Sequence, residues 1–177
     1  DLNRNEFNIS ATKLRSNPVK YWDFTLGSTR STLCKNVLIA GSESCGKSTI
    51  TKYLAKIFNT SWSEEYGRTY TESVLFGNDE LFTKEDFEII AKRQHDIDLE
   101  TMKNSNKICF FDSDALITKF YLDRYLGQTS NVVDSYIDPK KYDLVLLFTP
   151  SVKWVDDGLR LDPDNSERWK NHNKIVR

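Results

Sequence analysis

At 177 residues the chain has room for one α/β domain of ordinary size and little beyond it. Its 25 basic and 26 acidic side chains give a formal charge of −1, which excludes global attraction to nucleic acid or to an anionic membrane, so any phosphate binding has to be local. The apolar run at 144–148 is far short of the ~20 residues of a membrane helix, no secretory signal opens the chain, and the three cysteines lack zinc-like or disulfide-like pairing.

A cytoplasmic protein is the expectation, with Cys34 and Cys109 as small packing thiols and Cys45 lying in a loop considered below. Residues 1–36 are polar and show no core pattern. Ser10 is placed to cap a short helix through Arg15 that ends before Pro18, as in a tail or linker.

The organisation changes at Lys35. A strand is predicted over Asn36–Ala40, then Gly41-Ser42-Glu43-Ser44-Cys45-Gly46-Lys47-Ser48, then a helix over Thr49–Phe58. Strand, glycine-bearing loop and helix N-terminus together make a phosphate-binding loop: glycines let backbone N–H groups approach phosphate, and the helix adds its unpaired amides and dipole. Lys47 is expected at the outer phosphates and the Ser48 hydroxyl on Mg2+, with residues Gly41 to Thr49 around the nucleotide. Ile50, Leu54, Ile57 and Phe58 have the spacing of a buried helix face.

Ser61–Ser63 reads as a short second strand running into Glu64-Glu65-Tyr66-Gly67-Arg68, which places carboxylates at the ligand end of an open sheet. A helix over Thr69–Phe76 stops at Gly77-Asn78. Thr83 and Asp86 then open a long helix to about Asn104 with a capping box. Phe87, Ile90, Ala91 and Ile97 make it only modestly apolar, and Lys92–His95 suggest one face toward solvent or a cleft.

Lys107–Phe111 is a third strand ending in Asp112 and Asp114. Residues two apart share a strand face, so both acids can point the same way; a turn cap easily explains one of them, but two acids ending this strand favour magnesium binding or general-base work for at least one. The next helix, Ala115–Leu126, offers Leu116, Phe120 and Leu126 to the core and ends at Gly127. A fourth strand covers Asp143–Phe148. Alternating strands and helices at this spacing predict a P-loop NTPase-type, three-layer α/β fold with a mainly parallel sheet.

Downstream, Trp154 can stack on a flat ring or anchor its loop, Asp156 and Asp157 can accept from sugar hydroxyls, and Arg160 and Arg168 can close over transferring phosphate or remain solvated charges. Ser166 is placed to cap a last helix to Arg177. His95 and His172 have no metal or nucleophile context and read as structural or surface residues.

Four segments in this order, the eight-residue loop, Glu65–Arg68, Phe111–Asp114 and Trp154–Arg160, resemble the ribosylnicotinamide kinase domain of NadR-type bifunctional proteins, where a nicotinamide-nucleotide adenylyltransferase domain precedes a nucleoside-kinase-like domain. Ile9–Arg15 is similar to the Ile-Ser-x-Thr-x-x-Arg motif that ends a nucleotidyltransferase domain. The resemblance therefore implies a transferase-domain remnant and linker over 1–34 and a kinase domain over 35–177, without its last strand and adenine loop. No His-x-Gly-His loop occurs in the chain, so adenylyl transfer is not expected of it alone.

The activity implied is phosphorylation of the 5′-hydroxyl of nicotinamide riboside by ATP and Mg2+, giving the mononucleotide for NAD synthesis. Lys47, Arg160 and Arg168 would stabilise charge, Ser48 and Asp112 would hold the metal, and Glu65, Asp112 or Asp114 would take the hydroxyl proton. Glu64, Arg68, Trp154, Asp156 and Asp157 would contact the nucleoside. Neither nucleic acid nor membrane is an expected partner, and homo-oligomerisation through the parent protein is left open. Two other readings stay beside it: a kinase for another nucleoside, and a nucleotide-sensing regulatory module.

Overall fold

A computed structural model describes residues 8–154 and 164–176. Its framework is a parallel sheet of four strands, β1 (Lys35–Gly41), β2 (Trp62–Ser63), β3 (Ile108–Phe111) and β4 (Leu144–Phe148), in the spatial order β2-β3-β1-β4. The register aligns Val37 with Phe110 on one side and with Leu144 on the other. Sheet and flanking helices form the P-loop α/β fold that the alternation of elements predicts.

Around β1 and β3 each face of the sheet is covered, for a reason visible in strand alternation. Val37, Ile39 and Phe110 point to one side, where they pack with Ala55 of α3 (Lys47–Ile57) and with Ile50 and Leu54. Leu38, Ala40, Cys109 and Phe111 point to the other, against Trp22 and Met102 of α5 (Lys84–Asn104). A third cluster joins α5 to α4 (Tyr66–Ser73), α6 (Ala115–Leu126) and α7 (Asn131–Ser135) through Tyr70, Phe87, Ile90, Leu122 and Val133.

The N-terminal region contributes to this core. Ser10 accepts from Lys13 N–H and caps α1 (Ala11–Ser16), as predicted. Trp22, by contrast, is only 2% exposed and lies on the sheet, and α2 (Gly27–Leu33) packs on α5. One aromatic anchor and a helix of Gly, Ser and Thr carry no apolar periodicity, so the segment reads as a linker although Trp22 is core.

Several expected faces differ. In α3 Ile50 and Leu54 pack on the sheet as expected, but the fully buried side chains are Thr51 and Ala55, both 0% exposed, because small groups let the helix approach the sheet; Ile57 is 74% exposed and Phe58 49%. In α6, Ile117, Thr118 and Leu122 are buried, Leu116 faces solvent, and Phe120 and Leu126 are partly covered. The buried row of α5 includes Gln94 and Asp98 along with Phe87, Ile90, Ala91 and Met102, which explains its weak apolar signal. Helix α4 begins at Tyr66, three residues earlier than predicted. The last helix, α8 (Asn165–Val176), has Ser166 inside its first turn, where Asp164 accepts from Ser166 N–H at 2.8 Å.

Candidate functional site

The phosphate loop leaves β1 at Gly41, where φ is +146° and an added Cβ would lie 2.3 Å from the Phe148 carbonyl oxygen of β4. Only glycine fits a backbone so close to its neighbour. Gly46 (φ +86°) supplies the left-handed residue that precedes α3, and Ser44 takes φ +53°. Ser42 and Cys45 turn inward, with Cys45 Sγ donating to the Ser42 carbonyl at 2.9 Å. Lys47 Nζ donates to the same carbonyl at 2.8 Å, holding the ammonium over the loop.

A cleft of about 220 Å³ opens beside this loop. Its first wall is Gly41, Glu43, Ser44, Gly46, Lys47, Ser48 and Thr49. Glu65 and Arg68 line a second wall at the start of α4, where Glu65 is the extended residue preceding the helix. The far wall is aromatic and acidic, with Phe82 and Phe87, Tyr121 and Tyr125 of α6, and Asp79. Tyr121 and Tyr125 stack at 5.9 Å between centroids, and Tyr121 Oη donates to Glu43 Oε1 at 3.2 Å. Burial and the neighbouring Glu43 charge push the Tyr121 phenol well above its usual value, so it stays a neutral donor.

Asp112 lies against Ser48 and is 4% exposed, with Oδ1 lacking a hydrogen-bond partner among the described residues. Burial pushes its carboxyl up to about 6, and Glu65 adds to the rise, against opposition from the Ser48 side chain and from Lys47 and Lys52. An orphaned buried carboxylate oxygen beside the loop hydroxyl is the donor set a hard divalent cation takes when phosphate and water oxygens complete its shell. Among the described residues no cluster of three or more His, Cys, Asp or Glu offers an all-protein metal site.

The two acids after β3 part company. Asp114 is the N-cap of α6 and accepts from Ile117 N–H at 3.1 Å, on the side of Asp98 and Lys141. The chain leaves strand geometry after Phe111, so the shared strand face does not extend to Asp114. Glu64 and Glu65 also separate: Glu64 is exposed and pairs with Lys52 at 3.3 Å on the outer surface, while Glu65 faces the cleft. Trp154 is half-buried, its indole N–H has no partner among the described residues, and it is not one of the cleft-lining residues.

Arg168 is 2% exposed and donates to the Ser44 carbonyl at 3.0 Å and the Val152 carbonyl at 3.1 Å. It is no solvated surface charge; it ties α8 to the phosphate loop. Asp156, Asp157 and Arg160 lie outside the described residues. The aromatic wall escaped sequence reading, although Tyr121 and Tyr125 stand one helical turn apart, a spacing that puts two rings on one face.

The family profile described as AAA domain matches residues 36–177. The chain is 35% identical over 176 residues to the trifunctional NAD biosynthesis/regulator protein NadR of Salmonella typhimurium, and 34% identical to that of Escherichia coli. Each match takes in 99% of this chain and 43% of the relative, so the chain spans less than half the length of the curated relatives it matches. A solved NadR protein in complex with NR superposes with a TM-score of 0.84 at 30% identity, covering 98% of this chain and 50% of that one. A NadR protein in complex with NAD and AMP-PNP gives 0.80 at 27% identity, over 98% and 48%.

Proposed function

Because the chain belongs to the AAA domain family through residues 36–177, we propose that its phosphate loop holds ATP and that the cleft beside it takes nicotinamide riboside, whose 5′-hydroxyl is phosphorylated to the mononucleotide used in NAD synthesis. The observation that carries this reading is the continuity of the cleft from Lys47 to Tyr121 and Tyr125. A cationic pyridinium is favoured by aromatic faces and by nearby carboxylates, here Glu43, Glu65 and Asp79, whereas a neutral base gains only the stacking. The likeness to a NadR protein bound to NR supports the same acceptor.

Phosphoryl transfer is mostly positioning and charge stabilisation. The loop amides and the Lys47 ammonium hold the phosphates, and Ser48 with Asp112 would hold Mg2+, which supplies positive charge at the phosphate oxygens. Glu65 lines the cleft and is the carboxylate proposed to accept the hydroxyl proton, since Asp112 lies against Ser48 and Asp114 is engaged as a helix cap. Arg68 would orient the ribose or phosphate from the second wall. Arg168 shapes the loop by holding the Ser44 carbonyl. Residues 1–34 are proposed as the end of a nucleotidyltransferase domain and its linker, seated on the kinase core by Trp22.

The test is a coupled assay with Mg-ATP and nicotinamide riboside, uridine or a deoxynucleoside in competition. Mononucleotide formed selectively from nicotinamide riboside, and reduced about 10²-fold or more in Lys47→Ala, is the expected result. Equal turnover of the three nucleosides would remove the assigned acceptor, and nucleotide binding without transfer would favour a sensing module.

A further inference from the structure

The carboxylate proposed to meet the acceptor hydroxyl sits on a short connection between β2 and α4, a place where a chain is ordinarily loose. Here the connection is held from behind by Gln94 of α5, which is 3% exposed and reaches the rear of the cleft. Tyr66 N–H donates to Gln94 Oε1 at 2.8 Å, and Gln94 Nε2 donates to the Glu64 carbonyl at 3.0 Å. These two bonds fall on either side of Glu65. The amide has no freedom to flip: an N–H requires the oxygen, while a carbonyl requires the nitrogen.

Further contacts lock the same orientation. Asp98 Oδ1 at 2.9 Å and Ser63 Oγ at 3.0 Å lie within reach of the same Nε2, so its two hydrogens are shared among three acceptors. Asp98, 2% exposed, bonds Ser63 Oγ with one carboxylate oxygen and Lys141 Nζ with the other. Ser63 in turn accepts from Asp112 N–H through its carbonyl at 3.0 Å. One buried amide thus connects the backbone around Glu65 to Ser63, the β2 residue whose carbonyl holds the Asp112 N–H. A buried polar group of this kind is costly unless fully paired, and every partner needed to pair it is present.

We propose that Gln94 is a positioning residue: its amide clamps the peptide on both sides of Glu65 and so aims that carboxylate into the cleft, with Asp98 and Lys141 setting which way the amide lies. The catalytic consequence rests on the kinase reading; the clamping itself does not. An apolar side chain of the same length would fill the space and leave the peptide groups of Glu64 and Tyr66 unpaired, so the loss would fall on Glu65 rather than on the phosphate loop.

The experiment compares the parent chain with Gln94→Met in steady-state kinetics and in amide hydrogen exchange. Gln94→Met is expected to lower kcat for nicotinamide riboside phosphorylation by roughly 10- to 100-fold, with KM for ATP within about twofold of the parent. Exchange at the Tyr66 amide is expected to quicken by about 10-fold or more while amides of β3 and α6 keep their protection. Should Gln94→Met fail to fold, Gln94→Asn, which keeps the amide one methylene too short to span both peptides, is expected to give the same pattern. Unchanged exchange at Tyr66, or a lowered melting temperature with kcat intact, overturns the proposal. A parent chain inactive on the nucleoside would remove the kinase reading alone, and the exchange result would still decide whether Gln94 holds the segment.

Discussion

Asp112 illustrates the tension between stability and function in a single side chain. Its folded-state carboxyl is raised from an ordinary 3.8 to about 6, chiefly by burial, so the folded protein binds that proton more tightly than the unfolded chain does. Stability from this group is therefore full below about pH 4 and lost as pH rises through about 6, a loss of roughly 3 kcal/mol at neutral pH. Asp112→Asn is expected to raise the melting temperature of nucleotide-free protein at pH 7, with the gain vanishing toward pH 4, and to abolish phosphoryl transfer. Thermal melts across that range check the sign; a variant less stable than the parent at pH 7 would contradict it. The loop motif and the acid after β3 are both legible in the sequence because they depend on spacing along one chain. The division of work between Asp112 and Asp114 is not, since it turns on whether the chain stays extended beyond Phe111.

Among the elements, α3 and α5 carry the clearest consequences. The sheet-facing surface of α3 centres on Thr51 and Ala55 with Ile50 and Leu54 beside them, and Ile57 projects into solvent. Ile57→Lys is expected to change unfolding free energy by less than about 0.5 kcal/mol, whereas Ala55→Leu, which forces a larger group against the strands, is expected to cost about 1–3 kcal/mol. Denaturant titration of the two variants distinguishes this face from the one that apolar spacing suggests. At the start of α5, Thr83 and Asp86 form the reciprocal capping box, and Asp86 also accepts from Tyr70 Oη at 2.5 Å. Burial opposes the charge on Asp86, but the bonds from Tyr70 and Thr83 leave its carboxyl below the usual value. Thr83→Ala is expected to cost about 1 kcal/mol, read as a lowered denaturation midpoint with an unchanged slope.

At the scale of the whole molecule, a buried ion pair joins the approach to β4 with α5. Lys141, just before β4, meets Asp98 of α5, and its ammonium lies 4.6 Å from the Phe111 ring centroid and 5.2 Å from that of Tyr142. The pair connects the β4 side of the sheet to the helix that also supports α4. Lys141→Met would leave a carboxylate buried without its cation, and a loss of about 3 kcal/mol or more is expected; a denaturation curve overlying that of the parent would refute it. At the same scale, β4 is one of the two edge strands of the described sheet, with Leu144, Val145 and Leu147 exposed. None of the described helices is long and apolar enough to cross a membrane.

Local spacing and backbone preference were enough to fix, from the chain alone, the parallel α/β alternation, the phosphate loop, the capping box at Thr83 and the order of the acidic segments. Tertiary structure alone decided that Trp22 belongs to the core, that Glu65 faces the cleft while Glu64 faces solvent, and that Arg168 braces the loop from α8. It also decided that Gln94 and Asp98 lie on the buried side of α5. Those outcomes depend on which polar groups find partners across distant elements, and a hydrogen bond between residues 30 apart leaves no periodicity in the chain that forms it.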